Sequence, residues 1–202
     1  MSYIIFTILG YICGSILYAY LIPKILCHLD ICEISDDGNP GTANAYIHCG
    51  FFIGTLVLLL ELAKGFLPVF IAARFLDIES LMFIPVMIAP VLGHAFPMSF
   101  SKNSVHQRGG KAIASSFGVL LGLFPVVLPV LFLAVTYIVF SLVIVINPHL
   151  YRSIVTFGVF SLLTFFLVPI LPVAVGGFII SIIVILKHLK AYHGETLSIR
   201  LF

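Results

Sequence analysis

Glu61 and Lys64 stand three residues apart inside an otherwise apolar run from about Phe51 to Phe75. On a helix that spacing puts both on one face, where carboxylate and ammonium neutralise each other. Ionisable groups in a membrane are costly and face the bundle interior or a cavity, so the pair is either a structural bridge or a substrate contact. A second candidate is Asp36-Asp37-Gly38-Asn39-Pro40-Gly41-Thr42-Ala43-Asn44, directly ahead of that run. Its glycines permit positive φ and let backbone N–H groups converge on an anion; the same residues also suit a plain turn before a helix. The third is Gln107-Arg108-Gly109-Gly110-Lys111. Paired glycines at a helix N-terminus, flanked by two cations, bring N–H donors, helix dipole and charge to one phosphate. The spacing is not that of a nucleotide P-loop, and stop charges beside a flexible loop would have the same composition. Cys27, His28, Cys32, His48 and Cys49 cluster about one loop, but in none of the usual structural zinc patterns, so no metal site is assigned.

The elements that must hold these residues follow from composition. Of 202 residues 61% are hydrophobic and 9% charged, with a mean hydropathy of +1.24. A soluble domain of this size carries roughly a quarter charged residues, so a soluble chain is excluded. A net charge of +2 implies no nucleic-acid partner. No cleavable leader is expected at the N-terminus, which lacks a charged region before an apolar run long enough to span. The four cysteines lack the spacing of a disulfide scaffold and are expected to be free thiols.

Apolar runs at about residues 3–26, 51–75 and 81–98 predict three single spans. The uncharged stretch 112–146 would be about 50 Å long as one helix, too long for one crossing. Pro125 and Pro129 mark a break, so two helices are predicted there, and Pro169 and Pro172 divide 153–186 in the same way. The fold expected is an all-α, polytopic membrane protein of about seven transmembrane helices, forming one domain over residues 1–202. Seven spans place Lys24, Lys102, Arg108, Lys111, Arg152, Lys187, Lys190 and Arg200 on one face and only Arg74 on the other. The positive-inside rule then puts the N-terminus outside and the C-terminus in the cytoplasm. Gly10 with Gly14, Gly50 with Gly54 and Gly118 with Gly122 suit close helix packing.

Taken together and in order, the motifs resemble the bacterial PlsY family, which moves an acyl chain from acyl phosphate to glycerol 3-phosphate. Gly14-Ser15-Ile16-Leu17-Tyr18-Ala19-Tyr20-Leu21-Ile22 is similar to the family's first-helix motif. Gly38-Asn39-Pro40-Gly41 with Asn44 is similar to its S-G-N-x-G-A-T-N loop, and Leu58 through Gly65 to its L-L-L-D-x-x-K-G. Gly93-His94-Ala95-Phe96-Pro97 and Arg108-Gly109-Gly110-Lys111 resemble its G-H-x-x-P and basic diglycine motifs. The resemblance implies seven spans with the N-terminus outside, a bacterial cell-membrane location, and glycine-rich cytoplasmic loops that cradle the phosphates of both substrates. It implies attack by the glycerol hydroxyl on the acyl carbon, with lysophosphatidate and inorganic phosphate as products of phospholipid synthesis. The donor is already activated, so the family needs no metal, cofactor or covalent enzyme intermediate, and the resemblance implies the donor's own phosphate as the proton acceptor. The substrate-binding set implied is Asp37, Gly38, Asn39, Gly41, Asn44, Lys64, His94, Arg108, Gly109, Gly110, Lys111, Ser153 and His188; no residue is assigned as catalytic.

Departures gather at that set. Asp37 stands where the family has serine, Ile47 where it has arginine, Ala112 at the last glycine of the basic motif, and Ala191 where its H-R-E-N ends. The connection from Pro97 to Gln107 is about five residues longer than usual. A serine donates to phosphate whereas an ionised aspartate repels it. The acceptor expected is therefore glycerol 3-phosphate or, alternatively, a molecule whose amine or neutral hydroxyls suit Asp37. A non-catalytic binding protein on the same fold and, behind it, a small transporter are the remaining alternatives.

Overall fold

A computed structural model describes residues 1–98, 109–192 and 194–201. The helices are α1 (Ser2–Ser15), α2 (Tyr18–Leu26), the single turn α3 (Ile31–Ile34), α4 (Thr42–Phe75), α5 (Phe83–Ala95), α6 (Ile113–Gly122), α7 (Leu128–Ile138), α8 (His149–Leu167) and α9 (Leu171–Lys190). A π-helical turn, Val139–Val143, extends α7 into strand β1 (Ile144–Asn147). β1 pairs antiparallel with β2 (Ser198–Leu201), Ile144 facing Leu201.

Each predicted apolar run is helical over most of its length, and the proline pairs fall where helices part. Pro125 lies between α6 and α7 with Pro129 in the first turn of α7, and Pro169 lies between α8 and α9 with Pro172 in the first turn of α9. Three boundaries differ from expectation. The first run breaks at Ile16–Leu17, both non-helical, because nothing apolar distinguishes a broken span from a continuous one. The second begins at Thr42 rather than Phe51, with a break at Gly50 (φ 79°, ψ −179°). The stretch expected to stay helical to Ile146 turns into β1, where consecutive Ile and Val favour a strand once a partner is supplied.

Taken across its break, Ser2–Leu26 is long and apolar enough to cross a membrane, as are Thr42–Phe75, His149–Leu167 and Leu171–Lys190; α5, α6 and Leu128–Val143 are shorter apolar helices. Outward positions such as Phe52 and Phe166 are exposed, as expected where lipid is the solvent. Inside, Phe83, Met87, Leu120, Phe157, Phe160 and Ile180 form the core shared by α5, α6, α8 and α9. Small residues bring backbones together. A Cβ on Gly14 would run into the Pro90 carbonyl of α5, and one on Gly118 into the Leu62 carbonyl of α4. Gly10 and Gly122 extend these two seams, whereas Gly54 packs on Tyr46 across the Gly50 break.

Candidate active site

The break in the first run creates a demand that Glu61 and Lys64 meet. Ile16 ends α1 with a carbonyl that has no helical partner, and Ala19 opens α2 with an unpaired N–H. Lys64 Nζ donates to the Ile16 oxygen at 2.6 Å, and the Ala19 N–H donates to Glu61 Oε1 at 3.1 Å. The two charges are themselves paired, Lys64 Nζ lying 2.7 Å from Glu61 Oε2, with both side chains at most 2% exposed. His94, in the last turn of α5, completes the cluster with Nδ1 3.0 Å from Glu61 Oε2 and 2.7 Å from Lys64 Nζ. Its tautomer decides whether Nδ1 donates to the first or accepts from the second. The Ser115 hydroxyl, from α6, donates to Glu61 Oε2 at 3.4 Å. The cluster therefore ties the broken helix to α4, α5 and α6. Glu61 and His94 also line a cavity, so the structural and ligand roles fall on the same residues.

The diglycine is folded onto the end of α5. Gly110 N–H donates to the His94 carbonyl at 3.0 Å, and a Cβ at Gly110 would collide with His94 Nε2. Gly109 is left-handed (φ 55°) and lies against the Ala95 carbonyl, which also accepts a 3.0 Å hydrogen bond from Lys187 Nζ. Ala112 follows in the left-handed region at φ 63°, the position where the family motif has its last glycine. Arg108 lies outside the described residues.

In the loop before α4, Asp37 organises the chain around its own carboxylate. Oδ1 accepts from the Asn39 N–H at 3.2 Å and from Asn44 Nδ2 at 2.9 Å; Asn44 Nδ2 also reaches the Asn39 carbonyl at 2.9 Å. Oδ2 pairs with Lys111 Nζ at 2.8 Å. Gly38 supplies the left-handed turn (φ 57°), and Gly41 N–H donates to the Asn39 carbonyl. Burial pushes the Asp37 carboxyl up, but the hydrogen bonds from Lys111 and Asn44, the Lys111 charge and the Asn39 N–H outweigh it and hold it below its ordinary value. The expected nest is present in outline, and its anion is internal.

Lys111 also lies 3.3 Å from His149 Nε2 at the start of α8. The His149 ring meets that of His188 edge-on at 6.3 Å. His188 Nδ1 lies 2.8 Å from the Val184 carbonyl and can only donate to it. This leaves Nε2 as a buried acceptor with no partner among the described residues. Ser153 is buried one turn after His149; its hydroxyl donates to the His149 carbonyl at 2.9 Å and lies 2.7 Å from the Tyr137 hydroxyl.

Two cavities meet at these groups. The larger, about 580 Å³, runs from Asp37, Lys111, His94 and His149 to an apolar end at Leu58, Leu62, Phe117 and Leu121. The smaller, about 300 Å³, is polar and lined by Asp37, Gly38, Asn39, Gly109, Lys111, Lys187, Lys190 and Ala191. Asp37, Asn39 and Lys111 line both. Such a pair suits a ligand with a long apolar chain and an anionic head beside a small anionic partner. Sequence reading passed over His149 and the site role of Lys187. The signal for His149 was a histidine between Pro148 and Arg152 at the start of a span; Lys187 was counted only as a topological charge.

The family model described as glycerol-3-phosphate acyltransferase matches residues 4–194. The glycerol-3-phosphate acyltransferase of Thermotoga petrophila is 43% identical over 120 residues, 59% of this chain and 58% of that protein. The chain thus spans less than two thirds of that relative. The enzyme of that name from Coxiella burnetii is 32% identical over 195 residues, covering 93% of this chain and 91% of the relative. The crystal structure of PlsY (YgiH), an integral membrane glycerol 3-phosphate acyltransferase in its glycerol 3-phosphate form, superposes with a TM-score of 0.80 at 27% identity, over 94% of this chain and 90% of that one. Its lysophosphatidic acid form gives 0.76 at 26% identity, over 94% and 89%. With its apolar helices, this likeness makes the chain a multi-pass membrane protein.

Proposed function

Because this chain belongs to the glycerol-3-phosphate acyltransferase family, we propose that it transfers an acyl chain from acyl phosphate to glycerol 3-phosphate in a bacterial cell membrane. The whole chain, 1–202, serves as one catalytic domain, with its N-terminus outside and the site on the cytoplasmic face. The acceptor hydroxyl oxygen forms a bond to the acyl carbon, the bond from that carbon to the phosphate oxygen breaks, and the hydroxyl proton leaves with phosphate. Lysophosphatidate and inorganic phosphate result. The residues supply placement and positive charge rather than a nucleophile.

The observation that carries this reading is the shared wall of the two cavities. An acyl chain fits the apolar end of the larger, its phosphate reaching Lys111; the acceptor phosphate fits the smaller, beside Gly109, Lys187 and Lys190. The repulsion expected from Asp37 is answered by Lys111 and Asn44, which neutralise and hydrogen-bond it. Among the described residues, three lysines and one carboxylate line the smaller cavity, which suits a phosphate. A second reading, transfer to an acceptor bearing an amine or neutral hydroxyls, is favoured by Asp37, whose carboxylate lines the smaller cavity.

The test is phosphate release from a long-chain acyl phosphate by purified protein in detergent, with and without glycerol 3-phosphate. Acceptor-dependent release with lysophosphatidate formed is expected. Protein that binds the donor but releases phosphate only with an amine or a neutral polyol would replace the acceptor named here.

A further inference from the structure

Among the described residues Lys111 is the cation common to both cavities, and it is already engaged. Its ammonium lies 2.8 Å from Asp37 Oδ2, and its side chain is only 8% exposed. An anion approaching from either cavity finds that place taken by a carboxylate oxygen. Asp37 has somewhere to go, however. Its other oxygen keeps the Asn39 N–H and Asn44 Nδ2, and its side chain is 23% exposed, so water can replace Lys111 at Oδ2. The lysine cannot follow, because its stem is buried in the segment that leads from the diglycine into α6. The pair is thus asymmetric: one partner is fixed and the other can swing.

Building on the acyl-transfer reading, we propose that Asp37 is a displaceable internal counter-ion, whose Oδ2 holds on Lys111 the place of a ligand phosphate oxygen. Binding of an acceptor or donor phosphate exchanges one anion for the other. As inorganic phosphate leaves, Asp37 returns, so the buried ammonium is never left unpaired. The carboxylate lowers the affinity of the site for every phosphate by the same factor, and so shortens the residence of inorganic phosphate, which has no glycerol or acyl chain to hold it. Asp37 is therefore a tuning residue for anion affinity rather than a bar to anions.

The experiment is calorimetric titration of the full-length protein in detergent with inorganic phosphate, glycerol 3-phosphate and glycerol, without donor, for wild type, Asp37→Asn and Asp37→Ser. Both variants should bind the two phosphates about tenfold more tightly, with glycerol unchanged. In the acyl-transfer assay KM for glycerol 3-phosphate should fall, while inorganic phosphate becomes a stronger product inhibitor. Unchanged or weaker phosphate binding in the two variants overturns the counter-ion, whatever their activity. If neither variant folds alone, added inorganic phosphate should restore folding by supplying the missing anion to Lys111, and its failure to do so likewise overturns the counter-ion. Tighter phosphate binding without acyl transfer by any variant leaves the counter-ion standing and removes the reaction it was built on.

Discussion

Glu61 and Lys64 show how a buried charge can be structural and face a ligand at once. Each satisfies a backbone group that the Ile16–Leu17 break would otherwise leave unpaired, and each satisfies the other. Removing one partner leaves the other as an uncompensated charge. Lys64→Met should cost about 3–5 kcal/mol, whereas Glu61→Gln together with Lys64→Met should cost far less than the single changes summed. Thermal unfolding of the four proteins in one detergent measures the coupling. Ala112 carries a different kind of cost. A left-handed alanine is strained by about 1–2 kcal/mol, partly offset in glycine by greater unfolded-state freedom. Ala112→Gly should therefore raise stability by about 0.5–1 kcal/mol, read as a higher Tm. Sequence alone could say that a glycine was missing there; only the φ of 63° says why the position wants one.

Between elements, two glycines matter for opposite reasons. At Gly14 the backbone is ordinary helix and space is lacking, since a Cβ would meet the Pro90 carbonyl. At Gly50 there is space, with nothing within 4 Å, and the backbone is the constraint. Its φ of 79° and ψ of −179° belong to a region open essentially to glycine alone. Gly14→Ala should part α1 from α5 and lower Tm, costing about 1–3 kcal/mol as overpacked helices do. Gly50→Ala should straighten α4 and swing the Thr42–Cys49 stub that carries Asn44, weakening phosphate binding more than it lowers Tm. Calorimetry and a melting curve on each variant separate the two. At this scale the sequence was legible where it carried punctuation. Proline pairs marked the turns between α6 and α7 and between α8 and α9, and polar loops marked the ends of the longer runs. It was silent at Ile16–Leu17, where the break is held open by side chains about forty residues away, and at β1, whose partner comes from the far end of the chain. The site was legible in the same measure. Glycine, asparagine and lysine motifs named most of its walls, while the Lys111–Asp37–His149 contact joins three segments that no local pattern links.

For the molecule as a whole, the charge distribution and the site agree on a side. Lys111, Lys187 and Lys190 are both topological charges and cavity walls, so the face that retains cations is the one that would meet a cytoplasmic phosphate ester. In a background with the native cysteines replaced by alanine, Glu79→Cys should react with a membrane-impermeant maleimide in intact cells. Thr196→Cys should react only after the membrane is opened. Both side chains are exposed, so access reports the side of the membrane.

The larger cavity has one more property, set by where it opens. Two apolar residues of its wall, Ile47 and Leu121, are 73% and 42% exposed. An apolar chain can therefore enter sideways, from between lipid tails, without passing through water. The donor is then dilute or concentrated in two dimensions. What saturates the protein is its mole fraction among the surrounding amphiphiles, so added detergent or bulk lipid slows turnover at constant molarity, and Michaelis constants for the donor carry units of surface composition.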